Sequence, residues 1–97
     1  MPKPSWFTWE MQVAEDVKGT ITPGSGNQWH TKSDVRNKRF RISCKETQRD
    51  SFSIKRDDIR EIQKISAQDN KIPVIAINMN GIKFVVVSYE DWLEEPI

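Results

Sequence analysis

The stretch Ser33-Asp34-Val35-Arg36-Asn37-Lys38-Arg39-Phe40-Arg41-Ile42-Ser43-Cys44-Lys45 decides how this chain folds. Phe40, Ile42 and Cys44 alternate with Arg39, Arg41, Ser43 and Lys45. Strand side chains change face at every residue, so a strand over 39–45 turns the apolar trio to one side and the other four residues to the opposite side. A strand over 32–36 precedes it through a turn at Asn37-Lys38. An aspartate thus enters one strand while a lysine lies on its neighbour, an arrangement that can hold a divalent metal beside a phosphate. Ser43 is the complication, because it stands where a site of that kind usually carries a second carboxylate.

Working outward, Ser5 can cap a helix over 5–18, in which Trp6, Trp9, Val13 and Val17 recur at helical spacing and which Gly19 ends. Residues 20–31, with Pro23, Gly24, Gly26 and Asn27, read as a loop. Residues 46–51 are polar, and Phe52-Ser53-Ile54 predicts a short strand. A helix over 56–68 has Asp57 and Asp58 in its first turn and an apolar stripe of Ile59, Ile62 and Ile65. The apolar runs 74–79 and 82–87 meet at Asn80-Gly81, which favours a tight hairpin. Their nearly continuous apolarity predicts burial on both faces. A short helix over 90–93 follows. The predicted order α-β-β-β-α-β-β-α is an α/β domain over 1–97 with a mixed central sheet flanked by helices.

Composition narrows the classes. The chain has 97 residues, 36% hydrophobic and 30% charged, which suits one small globular domain. No run approaches the apolar length of a membrane span. The first residues lack the apolar core of a signal peptide, so the expected address is the cytoplasm. One cysteine and one histidine exclude an internal disulfide and leave no basis for a cysteine-based zinc site. The net charge of +1 hides an asymmetry: between Trp29 and Arg56 nine Lys/Arg face three acids, a local +6. Such a segment is either a footprint for a polyanion or a solvated hairpin balanced by the acidic end of the chain.

Glu10 on the first helix, Gly24-Ser25-Gly26, Asp34 and Lys45 occur in an order that resembles the PD-(D/E)xK nuclease fold shared by restriction endonucleases and archaeal-type or phage Holliday junction resolvases. In that family an early helix carries a Glu, a Gly-Ser-Gly-like loop follows, and an Asp and a Glu-x-Lys lie on adjacent strands. The segments 52–58, 72–74 and 84–87 also look like the small phage members, so the likeness spans residues 5–92. The resemblance implies a restriction-endonuclease-like fold and a metal-dependent endodeoxyribonuclease that acts on branched DNA as a homodimer. It further implies Mg²⁺ or Mn²⁺ held by Asp34 and the Cys44 backbone carbonyl. Glu10 would add a ligand through water or a second metal, with Glu15 its rival on the same helix. Asp34, Lys45 and Glu10 would be the catalytic residues, Lys45 orienting the attacking water or stabilising the developing charge. Ser25, Asn27, Arg36, Lys38, Arg39 and Arg41 would contact DNA.

Ser43 departs from the family pattern, since a hydroxyl is a weak ligand for Mg²⁺. Either Asp34, Glu10 and water fill the gap, or an acid from elsewhere has moved in, or the site is inactive and the chain only binds DNA. A protein-interaction domain whose basic strands meet an acidic partner is the third class. Cys44 reads as a small core residue, while Trp29 and His30 read as loop side chains that could meet a base or a phosphate.

Overall fold

The computed structural model describes residues 5–22 and 34–94, and the side chains from Thr8 onward. Along the chain these form α1 (Ser5–Asp16), β1 (Thr20–Ile21), β2 (Val35–Arg36), β3 (Phe40–Thr47), α2 (Arg56–Gln68), β4 (Ile72–Met79), β5 (Ile82–Val86) and α3 (Tyr89–Glu94). The sheet order is β1-β2-β3-β4-β5. The β3–β4 pair is parallel, joined through α2, and every other pair is antiparallel. The chain is therefore a small α/β protein built on a five-stranded mixed sheet.

Two apolar clusters, one on each face of the sheet, explain the layers. Trp9, Val13 and Ala14 of α1 pack with Val35, Ile42, Val74 and Ala76, and Cys44 leans on this cluster. On the other face Ile62 of α2 packs with Ile75 and Ile77. β4 thus feeds both cores, Val74 and Ala76 on one face and Ile75 and Ile77 on the other, whereas β3 gives its apolar trio to the α1 side alone. The Trp9 indole N–H also donates to the Ala76 carbonyl at 3.1 Å, tying α1 to the centre of the sheet.

Several sequence expectations need correction. Phe52-Ser53-Ile54 is not a strand. The segment joins no ladder, and Phe52 and Ile54 instead both pack on the α2-side cluster, which departs from strand alternation. Thr20–Ile21, expected in a loop, forms a two-residue strand against β2. The strand at 82–86 is not buried on both faces: it is a sheet edge with Ile82 and Val85 exposed. Its hairpin does turn at Asn80-Gly81, with φ of 47° and 94°, the left-handed pair that a tight hairpin requires. Ser88 opens α3 as a capping residue, its hydroxyl accepting from the Asp91 N–H at 3.1 Å.

The end of α1 differs as well. Lys18, not glycine, takes the left-handed conformation (φ 55°), and the Gly19 N–H then closes on the Ala14 carbonyl at 2.8 Å. Gly19 serves another purpose: a Cβ there would stand 2.4 Å from the Arg36 carbonyl oxygen. Only glycine lets β1 come this close to β2. Gly19→Ala should therefore cost about 1–3 kcal/mol of stability, read as a lower urea midpoint. An unchanged midpoint would mean the contact relaxes freely.

Candidate active site

Asp34 stands where β2 leaves β3. Its N–H donates to the Ile42 carbonyl at 2.8 Å, although the ladder pairs Ile42 with Val35, so the regular register ends here. Its carboxylate Oδ2 accepts the Cys44 backbone N–H at 2.7 Å. Within a strand the N–H and C=O of one residue point to the same edge, so the Cys44 carbonyl is directed to the edge that Asp34 occupies. The break in register explains why strand alternation from sequence did not capture how Asp34 is used: its carboxylate addresses the backbone of β3.

Glu10 belongs to the same neighbourhood. It is 4% exposed and has a partner, as a buried carboxylate must. Burial raises the Cys44 thiol far above its ordinary pKa; the Asp34 and then the Glu10 charges raise it further, and Lys45 opposes them. Both carboxylates and the lysine thus act on one residue, Cys44. Its thiol stays protonated at neutral pH and offers no thiolate to a metal or to chemistry. Of the two candidate acids on α1, Glu15 is exposed, so Glu10 is the one brought inward.

Ser43 and Lys45 open on the α2 side of the sheet. With Ile62 and two acids of α2, Asp58 and Glu61, they line a small cleft of about 60 Å³. Neither acid was singled out as a site residue by local sequence pattern. The available signal was their place beside Ile62, the isoleucine of the predicted stripe that is buried: residues that flank a helix's buried position reach the sheet beneath it.

The expected DNA contacts divide. Arg41 is committed to Asp69 at the end of α2, through an Nε–H donation of 2.6 Å and a second guanidinium contact. The Arg41 hydrogen bond holds the Asp69 carboxyl below its usual range, and the charges of Arg41, Lys71 and Arg36 lower it further. Arg41 is thus spent on tying β3 to α2. Arg39 is exposed with its guanidinium over the Phe40 ring, 5.2 Å from the centroid. Arg36 and Lys38 line an open groove at the α1–β1 end of the sheet, together with Lys18 and Lys71. Ser25, Asn27, Trp29 and His30 lie outside the described residues.

Among the described residues no three His, Cys, Asp or Glu side chains are gathered so as to hold a metal ion by themselves. The acids whose charges reach Cys44, Asp34 and Glu10, would offer a cation only oxygen, as would the Cys44 carbonyl. That set suits a hard cation such as Mg²⁺, which keeps several waters and needs only one or two carboxylates. No helix among the described residues is long and apolar enough to cross a membrane. No protein-family model, no curated protein and no solved structure matches the chain.

Proposed function

We propose that the chain is a metal-dependent endodeoxyribonuclease of restriction-endonuclease-like fold, acting on branched or structured DNA in the manner of a Holliday junction resolvase. One observation carries this reading: the Asp34 carboxylate, at the point where two strands part, is fixed on the backbone of the residue between Ser43 and Lys45. The antiparallel run β1-β2-β3 followed through a helix by a parallel β4 supports it too, being compatible with the fold that the resemblance implies.

Asp34, Glu10 and the Cys44 carbonyl would hold a hard divalent cation, which would supply a water of lowered pKa and neutralising positive charge. The chain does the rest. The Cys44 N–H fixes Asp34 in orientation, and burial fixes Glu10. Lys45 donates to the phosphate oxygen on which charge builds as water adds to phosphorus. The bond to the leaving sugar oxygen breaks, and that oxygen takes up, through solvent, the proton that the attacking water gives up. Glu61 or Asp58 supplies across the cleft the negative charge that Ser43 lacks. The test is a synthetic four-way junction incubated with Mg²⁺ or Mn²⁺, with paired nicks as the expected product. Binding without cleavage under any divalent metal would replace this reading with a DNA-binding module, which the neutral Ser43 favours.

Symmetric cutting of two strands calls for two sites related by a twofold axis. A second copy is the natural occupant of the β5 edge and α3, where Ile82, Val85, Tyr89, Trp92 and Leu93 are each more than half exposed. A standard interface takes about 800 Å² per partner, roughly one-ninth of the 7139 Å² accessible surface. Light scattering should return the mass of a dimer. Val85→Glu should weaken it at least about tenfold, or about 1.4 kcal/mol. A monomeric parent protein at micromolar concentration would refute the dimer.

A further inference from the structure

The groove at the α1–β1 end of the sheet, of about 280 Å³, is lined by Lys18, Thr20, Arg36, Lys38 and Lys71, with Asn37 and Gly19 in its floor. No acid lines it, so four cations from three separate segments face one space. Asp69, a carboxylate on which the charges of Lys71 and Arg36 act, is engaged by Arg41.

Cations often gather at helix C-termini to offset the dipole, and α1 and α2 both end here. In this protein those ends are already satisfied from within. The Val13, Ala14 and Glu15 carbonyls accept the N–H groups of Val17, Gly19 and Lys18 at 2.8–3.2 Å. The Val17 carbonyl accepts the Asn37 side-chain amide at 3.1 Å. At α2, Lys71 and Asp69 donate to the Ser66 carbonyl, and Asn70 donates to Ala67. The helix-end carbonyls thus have partners other than the lysine ammonium groups, of which Lys71 also acts on the Asp69 carboxyl.

The frame is also rigid. Asn37 Oδ1 accepts the Arg39 and Phe40 N–H groups at 2.8 and 2.7 Å, which locks the β2–β3 turn to α1. Lys18 and Asn70 hold left-handed conformations at φ 55° and 58°, which set the course of the chain at both helix ends.

We propose that this groove is a second, non-catalytic binding site for the phosphodiester backbone of DNA, with Lys18, Lys38 and Lys71 as phosphate contacts beside Arg36. The inference rests on the reading of the chain as a protein that acts on DNA, and it adds a clamp set apart from the cleft. From Phe40, level with Ile72 at the groove end, to Lys45 is five residues of strand, about 16 Å. Lysines act as point charges with no base edge to read, so the contact is independent of sequence.

The test is duplex DNA binding without divalent metal, followed by fluorescence anisotropy across a series of salt concentrations. The variant Lys18→Gln/Lys38→Gln/Lys71→Gln should lower the slope of log K against log salt by about 2.7, at about 0.9 per phosphate contact. Its affinity should fall at least about tenfold at 0.1 M salt. The charge-keeping Lys18→Arg/Lys38→Arg/Lys71→Arg variant should retain the slope, which separates lost charge from lost fold. An unchanged slope in the glutamine variant overturns the clamp, even if the protein cuts junctions. A slope that falls as expected in a protein that never cuts upholds the clamp and overturns the nuclease.

Discussion

Asp34→Asn should remove divalent-dependent junction cleavage by two to four orders of magnitude while leaving the fold and metal-free DNA binding in place. Asparagine keeps an oxygen that can accept the Cys44 N–H, the bond that holds residue 34 at 2.7 Å from the β3 backbone. What it loses is the negative charge, and with it the anchor for a hard cation. Two to four orders in rate is about 2.7–5.4 kcal/mol of transition-state stabilisation, in the range that electrostatic groups at such sites supply. Asp34→Ala mixes two effects, because it also orphans the Cys44 N–H, at about 1–3 kcal/mol of stability. Lys45→Ala should cost about two to three orders in rate. The double variant should be little worse than the worse single, since groups that act as a unit do not add. Single-turnover cleavage with excess protein separates these losses from weaker binding. An Asp34→Asn protein that cuts at the parent rate would remove Asp34 from the chemistry.

The sequence carried more of the fold than of the site. Residues 56–68 form the helix that their apolar periodicity and acidic first turn predict, and the alternation in 40–45 turns Phe40, Ile42 and Cys44 to the α1-side core. Those signals are local and periodic. What stayed hidden depends on which edges are free. Phe52 and Ile54 have strand-like alternation, yet both are drawn onto the α2-side cluster and join no ladder. Ile82 and Val85 look like core residues, yet no further strand pairs with β5 among the described residues. The site follows the same rule. Asp34 and Lys45 were visible as residue types on neighbouring strands, whereas the break in register at Asp34 is set by how β2 parts from β3. Arg41 read as a DNA contact until Asp69, 28 residues away, claimed it.

Glu61→Gln should cut cleavage by about two orders of magnitude, and Ser43→Glu introduced into that variant should restore most of it. The reasoning begins at Ser43, whose hydroxyl cannot supply the charge a carboxylate would. α2 crosses β3 with its last turn against Arg41, through Asp69, and its earlier turns further along the strand toward Lys45. Glu61 and Asp58 therefore reach the cleft from the opposite wall. Glu61 is one turn nearer the Arg41 level, hence nearer Ser43, and it has the longer side chain, so the larger loss belongs to Glu61→Gln and a smaller one to Asp58→Asn. A loss of two orders is about 2.7 kcal/mol, in the range expected for one electrostatic contributor. Were Glu61 merely a solvated surface acid beside Lys45, its amide would change the rate little, and surface substitutions of that kind stay within about 0.5 kcal/mol of stability. Rescue by Ser43→Glu is the decisive arm, because it returns a carboxylate to the cleft from the strand instead of the helix. Ser43 is 6% exposed, so a larger side chain is accommodated best when Glu61 no longer contributes a second negative charge. Ser43→Glu in the otherwise unchanged protein should accordingly help less than it does in the Glu61→Gln background. A Glu61→Gln protein that cuts as well as the parent would leave Asp34 and Glu10 as the carboxylates on which the site depends.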